Sequence, residues 1–196
     1  MSITKKSLQS ESTRRELLEV ARGLFTERGY ADTPLEEIVQ RAGVTRGALY
    51  HHFKDKEDLF RAVHVDVAGG VHSRVIAAIQ AAPDPWRSLL DGCLTYLDNC
   101  MDPAVQRIVL VDGQAVLGES HYDEAGPKDV EMVAEGFQEA MDAGLVPRQP
   151  PRPLALLLLG ALKEAAMAII QAPDKVQARA EMGDALRRVL EGLRTR

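Results

Sequence analysis

An all-α fold of about nine helices is the architecture this chain predicts. Three observations carry that expectation. Apolar residues return every third or fourth position through most of the sequence. Thr, Asp, Pro and Gly stand where helices of ordinary length would start and stop. No segment alternates apolar and polar side chains as a half-buried strand does.

The first helix is expected at 13–28. Thr13 and Glu16 form a capping box, Leu17, Leu18, Ala21, Leu24 and Phe25 line one face, and Gly29 stops it. Residues 1–12, with Lys5 and Lys6, read as a flexible basic tail. Thr33-Pro34-Leu35-Glu36 starts a short second helix at 34–42, with proline where its missing N–H costs little. Leu35, Ile38, Val39 and Ala42 form its apolar face, and Gly43 ends it. Thr45 can cap a third helix at 46–52, with Leu49 and Phe53 facing the core. Asp55 caps a long fourth helix running through Leu59, Phe60, Val63, Val67 and Val71 to Ile79. Gly69-Gly70 interrupts it, at roughly 1 kcal/mol per glycine relative to alanine.

Pro83 and Pro85 precede an amphipathic helix marked by Trp86, Leu89, Leu90, Cys93, Leu94, Leu97, Cys100 and Met101, which Pro103 ends. Residues 104–117 are again helical and apolar, 118–127 read as a loop, and Val130, Val133, Phe137 and Met141 mark a helix stopping at Gly144. The proline-rich 146–153 is a stiff connector, followed by helices at 154–172 and 175–194.

Composition limits the function classes. Among 196 residues, 45% are apolar, too many for a disordered chain and enough for a sizeable core. Residues 1–60 hold 10 Lys and Arg against 10 Asp and Glu, so the net charge of −5 arises wholly from the rest, 14 against 19. This is no chain coated in DNA-binding charge, yet a local patch remains open. Cys93 and Cys100 would lie ~10 Å apart on one helix, too far for a disulfide. Two such cysteines fit a reducing cytoplasm. The N-terminal MSITKKSLQS lacks the apolar stretch of a signal peptide, and no run approaches the ~20 apolar residues of a bilayer span. The expected location is therefore cytoplasmic, and LALLLLGAL at 154–162 reads as a buried helix.

The stretch GVTRGALYHHFKDKEDLF, residues 43–60, carries the chemistry. Two short helices joined by Gly43-Val44-Thr45 have the outline of a helix-turn-helix, whose second helix enters the DNA major groove by its N-terminal part. Thr45, Gly47 and Ala48 give that helix a thin leading edge, so Arg46 can reach the paired acceptors of guanine. Tyr50, His51, His52, Lys54 and Lys56 flank it at phosphate distance, and residues 43–56 are locally basic. Helix N-termini near Thr33 and Lys56 add backbone donors. Adjacent histidines on a helix point about 100° apart, which argues against a shared metal ion.

At these residues the chain resembles the tetracycline-repressor (TetR) family. The order of capped first helix, T-P-L-E-E-I helix, G-V-T-R-G-A-L-Y-H-H-F-K-D-K-E-D-L reading helix and long fourth helix carries the likeness over residues 12–62. The resemblance implies phosphate contacts from Thr33, Tyr50, His52 and Lys56. It places Thr45, Arg46 and Gly47 at base edges, with Tyr50 and His51 beside them. It implies a domain plan of helix-turn-helix at 13–60 and a helical ligand-binding and dimerisation domain at 61–196. It also implies a homodimer through 154–194, a palindromic double-stranded DNA operator, and a repressor released by a small effector. No cofactor is called for.

For the effector, Trp86, Leu90, Leu97, Met101, Val109 and Phe137 could line an apolar pocket, with Tyr96, Gln114 and His121 as polar anchors. A bend at Gly69-Gly70 could carry the ligand's effect along the fourth helix. An enzyme is not expected: there is no nucleophile elbow, phosphate loop or dinucleotide fingerprint. The competing reading is a helical ligand-binding or interaction module without operator binding.

Overall fold

The computed structural model describes residues 5–195, with side chains throughout except at 5–7 and 119–127. All the regular structure among the described residues is helical: α1 (Lys5–Arg28), α2 (Leu35–Arg41), α3 (Arg46–His52), α4 (Lys56–Ala81), α5 (Pro85–Asn99), a π-helical segment (Val105–Asp112), α6 (Gly113–Leu117), α7 (Glu119–Asp142), α8 (Pro151–Gln171) and α9 (Lys175–Glu191).

Most boundaries follow the expected signals. Thr45 Oγ1 accepts from the Ala48 N–H at 3.1 Å and so caps α3. Asp55 accepts from the Asp58 N–H at 2.8 Å while Asp58 accepts from the Lys54 N–H at 3.0 Å, a reciprocal clasp at the start of α4. Asp84 and Asp174 cap α5 and α9 through the Arg87 and Gln177 N–H groups, each at 2.9 Å.

Four expectations are corrected. Helix α1 begins at Lys5, so residues 5–12 are helix rather than tail; KSLQSES holds no breaker, and a capping box in mid-chain cannot stop a helix that has already started. Residues 1–4 lie outside the described chain. Helix α4 runs unbroken through Gly69-Gly70. Only Gly118, at φ 74°, separates α6 from α7, whose backbone is helical from Glu119 through the stretch expected as a loop. Helix α8 starts at Pro151 inside the expected connector, with proline tolerated in its first turn.

The chain forms two compact units. The first runs to Ala68 and takes in Pro103–Gly118. Its core joins Leu17, Leu24, Phe25, Ile38, Leu49, Phe53, Leu59 and Phe60, with the Phe25 and Phe60 rings edge to face at 5.2 Å. The second comprises Gly69–Asp102 with the chain from Glu119 onward. Its core joins Trp86, Leu90, Leu97, Phe137, Leu158, Leu162, Leu186 and Leu190. The division falls inside α4, at Ala68-Gly69, and not at residue 60.

Helix α8 alone among the described residues is long and apolar enough to cross a membrane by length and composition, a test that core helices of other proteins also pass. It is not buried all round. Leu158 and Leu162 face the core of the second unit, while Leu156 and Leu157 are 53% and 72% exposed. On α9, Leu186 and Leu190 face inward and Val176 and Val189 outward.

Candidate nucleic-acid interface

The first unit builds its exposed edge from α2, α3 and the start of α4. Leu49 and Phe53 are buried, which fixes how α3 sits and turns Arg46, Gly47, Tyr50 and His51 to solvent. A Cβ at Gly47 would meet only Thr45 Oγ1, at 3.9 Å, so the tip of α3 is sterically open. Arg46 is already held there. One guanidinium nitrogen donates to the Tyr50 hydroxyl at 3.4 Å, the other lies 3.4 Å from a Glu36 carboxylate oxygen, and the group sits 5.7 Å from the Tyr50 ring centroid. The Tyr50 hydroxyl first, and Glu36 after it, raise the Arg46 pKa.

His51 and His52 rings meet edge to face at 5.2 Å. Burial first, then His51 and Arg14, lower the His52 pKa and so favour its neutral imidazole. Arg14 on α1 lies over the Phe53 ring at 5.5 Å, close to His52. Among the described residues no group of three His, Cys, Asp or Glu is placed to hold a metal ion.

Lys56 does not reach freely into solvent. Its ammonium donates to the Ala31 carbonyl at 3.3 Å and lies 4.3 Å from the Tyr30 ring centroid, and burial lowers its pKa against the pull of Asp32. This pins the first turn of α4 to the turn after α1. Behind that turn stands the π-helical segment. Asp112 accepts from the Tyr30 N–H at 2.7 Å, and Arg107 bridges Asp112 at 3.2 Å and the Arg28 carbonyl at 3.3 Å. An eight-residue π run is rare, and such turns are frequent at functional sites.

Thr33 is a correction. It is 0% exposed, and its hydroxyl donates to the Gly29 carbonyl at 2.7 Å and lies 3.4 Å from that of Leu24. It closes the C-terminus of α1 and can neither cap α2 nor touch a phosphate. The first cap position of α2 is taken by Pro34, with no side-chain bond.

Residues 17–63 match the family model described as bacterial regulatory proteins, tetR family, and residues 86–193 match the tetracyclin repressor-like C-terminal domain. The chain belongs to the TetR family.

A TetR-family transcriptional regulator from Pectobacterium atrosepticum has a similar structure, with a TM-score of 0.84 and 37% identity over 99% of both chains. Two curated relatives are the transcriptional regulator AcrR of Shigella flexneri, 49% identical over 59 residues, and the transcriptional repressor KstR2 of Mycolicibacterium smegmatis, 36% identical over 81. Those alignments span 30% and 41% of this chain and only 27% and 40% of the relatives. The TetR N-terminal match contains α2, α3 and the cap of α4, the same elements that present Arg46 and Tyr50.

The candidate effector residues do not gather in one unit. Trp86, Leu90, Leu97 and Phe137 are core of the second unit, with Tyr96 and Met101 packed against them. Val109 and Gln114 belong to the first unit, and Gln114 is exposed. The side chain of His121 lies outside the described residues. Sequence reasoning missed Glu36, Arg14 and the Arg107–Asp112 pair. Arg107 and Arg28 are 79 residues apart, and no local pattern announces such a contact.

Proposed function

We propose that this TetR-family chain is a sequence-specific DNA-binding repressor that acts in the cytoplasm as a homodimer and is released by a small, largely apolar molecule. The observation that carries the DNA reading is the open tip of α3, where Thr45, Arg46, Gly47, Tyr50 and His51 face solvent on a rigid, capped helix. Arg46 reads a guanine; Tyr50, His52 and Lys56 meet phosphates. The relatives named as transcriptional regulators and a repressor support the same reading.

A second copy covers the outward face of α8 and α9. Leu156, Leu157, Val176 and Val189 are all exposed, and a Cβ at Gly160 would meet nothing, so another helix can approach closely. Two copies place two α3 helices for a palindromic site, about one DNA turn or ~34–36 Å apart. The effector is received in the second unit beside Trp86, Leu90, Tyr96, Leu97, Met101 and Phe137.

Selection of duplex DNA from a random pool, followed by mobility shifts across a salt series, tests the reading. A palindromic consensus with steeply salt-dependent affinity is expected. Recovery of unenriched DNA overturns it.

A further inference from the structure

Two adjacent acids on the first turn of α2 have different surroundings. Glu37 bridges Arg28 at 2.7 Å and Arg41 at 2.8 Å, so it ties α2 to α1 and to its own next turn. Glu36 meets only Arg46 among the ion pairs described, at 3.4 Å, and each side chain is 65% exposed. A pair that exposed adds on the order of 0–1 kcal/mol to the fold. Its consequence lies at the surface it shapes, because Arg46 is the side chain that leads α3.

A carboxylate at the edge of a DNA-binding surface is repelled by phosphates and by the acceptor atoms of guanine, adenine N7 and thymine O4. The cytosine amino group is the major-groove donor that a carboxylate accepts from without competing for an acceptor on the same base. Arg46 and Glu36 together present donors beside an acceptor. Two neighbouring base pairs can present the complement, O6 and N7 of a guanine in one beside the N4–H of a cytosine in the next. We propose that Glu36 is a specificity-determining residue, taking the amino group of a cytosine next to the guanine held by Arg46. It excludes other bases at that position by repulsion as much as it attracts the right one. This rests on the DNA-binding reading above.

The test uses the full-length protein and the duplex that wild type selects, with every single-base change in one half-site. Wild type should prefer cytosine at one position per half-site by about tenfold or more. Glu36→Ala should flatten that preference to about twofold and tighten binding to random duplex several-fold, since a negative charge leaves the interface. Glu36→Gln should shift the preference there toward adenine, whose N6 and N7 suit an amide. Circular dichroism should show both variants as helical as wild type, because Glu36 is exposed. Unchanged base preferences in Glu36→Ala overturn the proposal while leaving the DNA reading intact. So does a loss confined to the Arg46 guanine, which would make Glu36 a positioning residue only. If wild type selects no sequence at all, the DNA reading itself fails, and this proposal with it.

Discussion

Gly29 is the position at which one added methyl group tests the tertiary arrangement most directly. Its φ is 81°, in the left-handed region, and a Cβ there would fall well under 3.0 Å from the Arg107 guanidinium. Gly29→Ala therefore has two separable costs. The backbone cost of a left-handed alanine is about 1–2 kcal/mol. The steric cost is the displacement of Arg107 from the Arg28 carbonyl and from Asp112 Oδ2, the same oxygen that accepts from the Tyr30 N–H. Arg107 is 42% exposed, so losing its pairing costs only about 0–1 kcal/mol, with about 1 kcal/mol more for the strained turn. The sum is roughly 2–4 kcal/mol. Urea unfolding followed by far-UV circular dichroism measures it. In an Arg107→Ala background the clash is gone, and Gly29→Ala should cost only the backbone term, about 1–2 kcal/mol. A cost below about 0.5 kcal/mol in wild type, or one unchanged by Arg107→Ala, would refute the packing argument.

Arg46→Ala should lose roughly 1–3 kcal/mol of binding to the selected duplex and relax preference at one base step per half-site, whereas Lys56→Ala should weaken binding evenly across sequences and lower the salt slope by about one. Base-resolved competition titrations separate the two, and equal effects would dissolve the division between reading and phosphate contact. Leu157→Asp puts a carboxylate on the most exposed leucine of α8 and should weaken the dimer by about 3 kcal/mol or more, over a hundredfold in dissociation constant. Sedimentation velocity in the micromolar range should then find monomer; an unchanged dimer would place the interface elsewhere. Burial pushes the Cys93 thiol up to about 12 and the Cys100 thiol to about 11, so neither is a thiolate at pH 8. A disulfide reagent should label neither in the folded protein and both in urea, and rapid native labelling would show that these thiols are open to solvent.

Features that neighbouring residues settle among themselves are readable along the chain. Thr45 needs only the N–H three residues on, and Asp55 and Asp58 clasp within one turn, so the helix-turn-helix, the cap of α4 and the exposed tip bearing Arg46 were all legible. Leu49 and Phe53 lie four apart and were readable as core for the same reason. Other features depend on partners far along the chain and emerge only from packing. Thr33 stands where a cap for α2 belongs, yet its hydroxyl turns back to the carbonyls of Gly29 and Leu24 at the end of α1, because a buried hydroxyl must find an acceptor and those are in reach. Residues 154–162 are apolar on nearly every side, so periodicity could name the helix but not its inner face; packing against α5, α7 and α9 took Leu158 and Leu162 and left Leu156 and Leu157 outside. The candidate effector residues divided for the same reason, since Val109 shares the apolar character of Leu97 but its segment packs with α1 in the first unit. Hydrophobic burial has no direction of its own, so a pattern of apolar residues says that a face will be covered, and only the assembled fold says by what.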